Sequence, residues 1–448
     1  MTRTSAHILP ARRLRHLLAA LSASLALAAQ AQGLMEIYEA ARAYDANYLS
    51  AQAQYQANLA KAEQAKAALR PQAGLAANAL RYDLDSSADM LDGQYSNREL
   101  ALQASQPLYR PANAAASRQG ELLAEVARAQ LRSAEQDLIV RTTQAYFNVL
   151  AAQDTLAFVR AQKAAVEQQL AAARRSFEVG NATVTDQREA QARYDLVLAQ
   201  EIAAENDLRV KQLALDQLVG RQGVKPLPLA TPVQLPPLEP ADLQAWIAYT
   251  EQDHPTIVQA RQALEMARLE TAKAEAGHKP TLDLVAQYQV TRSPSTYPTI
   301  PGYLRNRTAA VGLQFNLPLY AGGAIQNQVR EALALEDKAR SDLDAARRSV
   351  EHATRSAYFG VLSGLGQVKA LEAAEASSQS ALEANQLGYE VGVRINIDVL
   401  NAQSQLYQTK RDLAQARYHV LLGTLRLRQA SGRLAAEDLR TIDALLAR

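Results

Sequence analysis

Two carboxylates stand out for the chemistry their position allows. Asp186 and Asp398 each follow a glycine-containing turn and fall in the first turn of a predicted helix. A carboxylate there stabilises the helix N-terminus by about 0.3–1 kcal/mol. The spacing from Thr183 to Asp186 is that of a capping box. Arg394 reads from its surroundings as a solvated turn residue and Tyr389 as a residue of a helix seam. The remaining candidates for chemistry are sparse. Of six histidines, His254, His278, His352 and His419 are scattered, with no carboxylate or second histidine at metal-ligand spacing. The motifs GxSxG and GxGxxG and the phosphate-binding P-loop do not occur. There is no cysteine, which excludes a disulfide framework, a thiolate metal site and a cysteine nucleophile. No catalytic residue, cofactor or metal is expected, and the chemistry available is electrostatic and mechanical.

The elements that carry these residues are written twice. Tyr146-Phe147 echoes Tyr358-Phe359, and Phe177-Glu178-Val179-Gly180 echoes Tyr389-Glu390-Val391-Gly392. Asp186 matches Asp398, Gln191 matches Gln403 and Gly220 matches Gly432, all at an offset of about 212 residues. That offset is far beyond a solenoid period. Residues 32–220 and 241–432 are therefore two structural repeats. The Pro-rich stretch 221–240 joins them, and residues 433–448 form a tail.

Each repeat has one order of elements. A helix (34–69, then 241–277) is stopped by Pro71 or Pro280. Two strand-like segments follow, 281–290 and 308–317 in the second half, with weaker alternation near 72–84 and 95–107 in the first. Residues 292–306, rich in Pro, Ser, Thr and Tyr, read as a loop. Then comes a helix near 111–179 with a heptad seam of Leu131, Leu138, Ala145, Ala152, Val159, Val166 and Ala173. Leu343, Val350, Ala357 and Leu371 keep the same phase in the second half. A sustained seven-residue period predicts a left-handed coiled coil. Some 65–70 residues at 1.5 Å each make a rod of about 100 Å. Tight turns at Gly180 and Gly392 send the chain back through helices near 184–219 and 396–431.

The first 31 residues read as a secretory signal: Arg3, Arg12, Arg13 and Arg15, a short apolar run, and Ala29-Gln30-Ala31. Removing them takes four arginines and no acid, so the net charge falls from +2 to −2. A near-neutral chain without a basic stripe argues against nucleic-acid binding. No later segment is apolar enough to span a bilayer as a helix, so membrane insertion requires a barrel. Four strands per chain leave open edges in lipid and force oligomerisation. Two chains would give a barrel with little lumen, whereas three give twelve strands and a wider bore.

The chain resembles the TolC family of outer-membrane efflux and secretion ducts over the whole mature sequence. The resemblance is carried by Leu34-Met-Glu-Ile-Tyr-Glu-Ala-Ala-Arg42, Gly388-Tyr-Glu-Val-Gly-Val-Arg394, Asp398-Val-Leu-Asn401, Leu406-Tyr407 and Ala416-Arg-Tyr418. It implies a mixed α+β membrane protein of the bacterial outer membrane. The homotrimer has a 12-stranded β-barrel, four strands per chain, continued by a long α-helical coiled-coil tunnel in the periplasm. It also implies docking to an inner-membrane pump, of RND or ABC type, through a periplasmic adaptor. The cargo is then exported drugs or proteins, as in efflux or type I secretion. The absence of cysteine separates the chain from the lipid-anchored branch. In site residues the resemblance implies an aperture ring at Asp398 and Asn401, and a gating latch in which Tyr389 and Arg394 meet Thr185 and Asp186. Asn401 stands where the family pattern has a second aspartate, which leaves three carboxylates at the axis instead of six and a weaker field for cations. A periplasmic coiled-coil scaffold without a pore is the rival reading. It explains the heptads but not the paired strands.

Overall fold

The computed structural model describes residues 32–85, 93–180, 183–295 and 302–447. The signal segment lies outside the described residues. The elements are α1 (Leu34–Tyr44), α2 (Ala46–Ala67), β1 (Gln72–Leu84), β2 (Gly93–Tyr109), α3 (Pro111–Glu178), α4 (Val184–Val219), α5 (Leu243–Asp253), α6 (Pro255–Glu275), β3 (Thr281–Pro294), β4 (Tyr303–Asn316), α7 (Ala324–Glu390), α8 (Asn396–Ala430) and α9 (Asp438–Asp443). Contacts divide the described residues into two compact units, one made of those within 32–50, 133–254 and 350–447, the other of those within 51–132 and 255–349.

In the second of these units the four strands form one antiparallel sheet in the order β1-β2-β3-β4. Residues that pair across strands share a face, and the register separates the two faces cleanly. One face carries Leu75, Leu102, Tyr288 and Ala309 in one row and Ala73, Ala104, Ala286 and Val311 in the next. The other carries Gly74, Gln103, Gln287 and Ala310, then Ala76, Ala101, Gln289 and Thr308. Apolar on one side and small or polar on the other is the pattern of a membrane barrel wall. The expected loop at 292–306 is shorter than its composition suggested, because β3 continues to Pro294 and β4 begins at Tyr303. Pairing of Thr291 with Asn306 and Arg292 with Arg305 extends the hairpin through polar residues. Below the sheet, Arg110 grips Asp283 with two bonds of 2.8 and 2.6 Å. Gly120 of α3 lies so close to α2 that a Cβ would sit 2.7 Å from that of Ala65.

In the first unit, α1 buries Leu34, Ile37, Tyr38 and Ala41. The helix expected across 34–69 is broken at Asp45, which accepts from the backbone N–H of Tyr48 (2.8 Å) and starts α2. Arg141 adds two bonds to the same carboxylate, 3.0 and 2.9 Å, and holds it below the usual carboxylate range. The second-half helix is broken at the equivalent place, between Asp253 and Pro255, where proline at the first helical position needs no N–H partner. Both breaks are sealed by the duplicated glycines. Gly220 (φ +71°) and Gly432 (φ +77°) are in left-handed conformation, and a Cβ on them would strike Tyr44 and His254 within 2.4 and 2.5 Å. The duplicated tyrosines hold the Pro-rich join and the residue that follows it: Tyr146 Oη donates to the carbonyl of Leu227 (2.8 Å) and Tyr358 Oη to that of Ala241 (2.5 Å).

Of the predicted seam, Leu138, Ala152, Val159, Val166 and Ala173 of α3 and Leu343 and Val350 of α7 are buried, while Leu131, Ala145, Ala357 and Leu371 are half-buried. Phe177, just before the first turn, is exposed. Gly364 of α7 lies close to α8, where a Cβ would sit 2.9 Å from Val420. Among the described residues no helix is long and apolar enough to cross a membrane.

Candidate functional site at the two hairpin tips

The predicted site residues lie at the turns joining α3 to α4 and α7 to α8. At the first turn Gly180 takes φ +75°, and Thr183 is the N-cap of α4. Thr183 Oγ1 accepts from the Asp186 N–H (3.3 Å), while Asp186 Oδ2 accepts from the Thr183 N–H (2.9 Å) and hydroxyl (2.8 Å). Thr185 Oγ1 lies 2.7 Å from Thr183 Oγ1. Thr183, Thr185 and Asp186 thus form a closed local network, and the capping box is complete.

The second turn is built differently. Gly392 takes φ +76°, and the N–H groups of Val393 and Arg394 both donate to the carbonyl of Gly388 (2.8 and 3.0 Å). The stem of Arg394 lies over Gly388, where a Cβ would approach Arg394 Cγ to 2.7 Å. Here the N-cap is Ile395, which has no side-chain acceptor to offer. Asp398 therefore has no capping partner, and its carboxylate faces Arg394 at 3.7 Å, with both side chains partly exposed. Tyr389 packs on the cluster of Leu382, Val399 and Leu406.

Asn401 has a partner that sequence reasoning did not name. Its Oδ1 accepts from Arg193 Nη2 at 2.9 Å, so a cation of α4 reaches Asn401 on α8. The available signal was the duplication itself, since Arg193 corresponds to Gln405 and is basic in one copy only. Nearby, Asn396 is buried and its Oδ1 accepts from Gln169 Nε2, while its Nδ2 has no partner. The start of α8 is held by Leu400 in a cluster with Val159, Val166 and Val197. On the α3–α4 hairpin, Lys163 and Arg160 bind Glu201 at 2.5 and 3.2 Å, and Arg160 also binds Glu205 at 2.7 Å. Lys163 first, and Arg160 after it, hold the Glu201 carboxyl below its usual range.

Within one chain, Arg394 meets Asp398, Thr185 meets Asp186 through Thr183, and Asn401 meets Arg193. Among the described residues no hydrogen bond or ion pair joins Tyr389 or Arg394 to Thr185 or Asp186 in the same chain. The described residues contain no cluster of metal-ligating side chains.

A two-faced sheet of four strands, long duplicated hairpins and polar tips define an outer-membrane channel with a barrel and a helical tunnel. The chain belongs to the outer membrane efflux protein family, which matches residues 37–221 and 246–433. It is 34% identical over 421 residues to the outer membrane protein TolC of Vibrio cholerae, covering 94% of this chain and 95% of that one. It is 33% identical over 357 residues to the alkaline protease secretion protein AprF of Pseudomonas aeruginosa, covering 79% and 73%. The solved outer-membrane protein VceC of Vibrio cholerae superposes with a TM-score of 0.77 at 20% identity, covering 89% of this chain and 96% of that one. The protein resides in the outer membrane, with its tunnel in the periplasm.

Proposed function

We propose that three copies of this chain form a passive exit duct, serving a tripartite efflux pump, a type I protein secretion system, or both. The observation that carries the reading is the sheet: one apolar face, one polar face, and two unpaired edges, β1 and β4. An open edge in lipid leaves backbone groups unsatisfied, and closure with two further copies removes every edge. The polar face then lines a water-filled lumen. Residues 32–220 and 241–432 act as two repeats of one hairpin design, so that six hairpins line the tunnel of a trimer. A periplasmic adaptor and an inner-membrane pump supply recognition and energy, and the duct itself catalyses nothing. The relatives named for protease secretion support a protein cargo. A relative named as an efflux protein supports small molecules.

The gate lies at the tips. Asp398 of three chains forms an acidic ring, and Tyr389 and Arg394 form the latch toward Thr185 and Asp186 of a neighbouring hairpin. Asn401 leaves the second ring neutral, and Arg193 beside it weakens the negative field further. Outer-membrane fractions should yield heat-modifiable trimers that conduct ions in planar bilayers. A soluble periplasmic rod without conductance would return the non-pore scaffold as the better reading.

A further inference from the structure

On the apolar face of the sheet the hydrophobic rows end at one level, and arginines begin. Along β3 the face reads Leu284, Ala286, Tyr288, Val290 and then Arg292. On β2 it reads Ala104, Leu102, Leu100 and then Arg98. On β4 it reads Phe315, Leu313, Val311, Ala309 and then Arg307 and Arg305. From Leu282 to Val290 is about 27 Å along the strand. At a tilt of about 40° this gives roughly 20 Å of height, comparable to the apolar band of an outer-membrane barrel. The arginines therefore sit just past the hydrocarbon, at the end of the sheet away from the helices of the same unit.

Their arrangement is unfavourable unless something neutralises it. Arg98 pairs directly with Arg292, and Arg292 directly with Arg305, so three guanidinium groups share one row across adjacent strands. Strands lie about 4.8 Å apart, which puts the three charges within roughly 10 Å. Like charges directly opposite destabilise a sheet. Arg307 adds a fourth charge one row nearer the apolar band, opposite Val290. All four side chains are exposed. Among the described residues none has an ion-pair partner; Arg292 instead stacks on Tyr303 at 5.5 Å. The strand carboxylate on this face, Asp83, accepts from Gln94 and lies about 13 Å further along β1 than the level of the arginine row.

We infer that this row is a docking surface for the phosphate groups of an acylated, bisphosphorylated glycolipid in the outer leaflet. Guanidinium pairs with phosphate in a bidentate fork, and acyl chains of the same molecule cover the apolar rows beneath. An array of four cations fits clustered phosphates better than the single phosphate of a glycerophospholipid. The inference rests on the barrel reading above and adds a ligand class to it.

The test uses the full-length trimer in phosphatidylcholine nanodiscs doped with bisphosphoryl lipid A, dephosphorylated lipid A or phosphatidylglycerol, with co-purified lipid counted by mass spectrometry. The wild type should enrich bisphosphoryl lipid A over both other lipids. Each basic residue at an anionic surface is worth about 1 kcal/mol, roughly fivefold. The quadruple replacement R98Q/R292Q/R305Q/R307Q should therefore lower enrichment at least about tenfold while leaving heat-modifiable trimers and conductance intact. Equal enrichment of the dephosphorylated lipid or of phosphatidylglycerol by the wild type overturns the inference without any variant. So does a trimeric quadruple variant that retains the lipid. Absence of trimers and conductance in the wild type would instead sink the barrel reading.

Discussion

The two hairpin tips occupy equivalent positions in a duplicated chain, yet they use the same carboxylate differently. Asp186 and Asp398 are both the third residue of a return helix. At the first tip the N-cap is Thr183, and Asp186 is held by its own turn. At the second the N-cap is Ile395, and Asp398 faces Arg394 instead. One side chain decides the difference, because a threonine offers a hydroxyl and an isoleucine offers none. A carboxylate committed to its own helix is fixed in place, and meets a neighbour only as a stationary acceptor. One left unclaimed, near an exposed arginine, is held by an interaction of at most about 1 kcal/mol and is easily exchanged. Duplication supplies the frame, and the proposed switch lies in the copy without a side-chain cap.

The largest effect should come from removing the weak contacts of the second tip. If the whole latch of one chain is worth about 0.5–1 kcal/mol, three symmetric copies contribute roughly 1.5–3 kcal/mol. That corresponds to about a 10- to 150-fold change in the closed-to-open ratio. Arg394→Ala combined with Tyr389→Phe should raise resting conductance in planar bilayers accordingly. Unchanged conductance would remove the latch from the proposal. The charge of the second ring comes next. Asn401→Asp should increase cation preference in reversal-potential measurements, but only modestly, because Arg193 stands ready to pair with the new carboxylate. Asn401→Asp with Arg193→Gln should shift selectivity further. If the single and double replacements give equal shifts, Arg193 has no influence on the aperture.

An ion pair away from the tips gives the contrasting case. Asp45 is nearly buried, bonded twice by Arg141 and once by the Tyr48 N–H, and its carboxyl is held below the usual range. A depressed folded-state value means that its stabilisation is present above the ordinary carboxylate pKa of about 4 and is lost as pH falls through the lower folded value. Arg141→Gln should weaken trimer resistance to heat and detergent at pH 7. The gap to the wild type should narrow as the pH falls through the lowered folded-state value and the carboxylate takes up its proton. A gap that did not narrow with falling pH would show that the pair contributes through packing and not through charge.

Periodicity and duplication made most of the frame legible. The bounds of α3, α4 and α8 fall within a residue or two of expectation, because heptads, proline and turn glycines all act locally. The break at Asp45 was missed because an aspartate inside an alanine-rich helical pattern gives no warning until Arg141, far along the chain, claims it. The length of the β3–β4 hairpin was underestimated because its outer third is polar, and polarity alone resembles a loop. At the tips, the capping box was readable from Thr183 and Asp186. The partnerships of Asp398 and Asn401 were not, since Arg394 and Arg193 are recruited by the fold of the turn and by helix packing, which leave no local pattern.

The smallest effect tests the comparison most directly, by exchanging the caps. Thr183→Ala removes the acceptor from α4 and should cost about 1 kcal/mol locally. Hydrogen exchange at the first amides of α4 should quicken about fivefold, with a smaller change in conductance than the second-tip replacements give, since Asp186 keeps its carboxylate and Tyr389 and Arg394 are untouched. Ile395→Thr should do the opposite at α8. A hydroxyl at the N-cap completes a box with Asp398, slows exchange at the start of α8 by a similar factor, and withdraws the carboxylate from Arg394. If Asp398 is held for exchange with a neighbour, that stabilising replacement should nonetheless raise resting conductance. A variant with a more protected α8 and unchanged conductance would show that Asp398 does no more than steady its own helix, and that the missing cap at the second tip has no part in the gate.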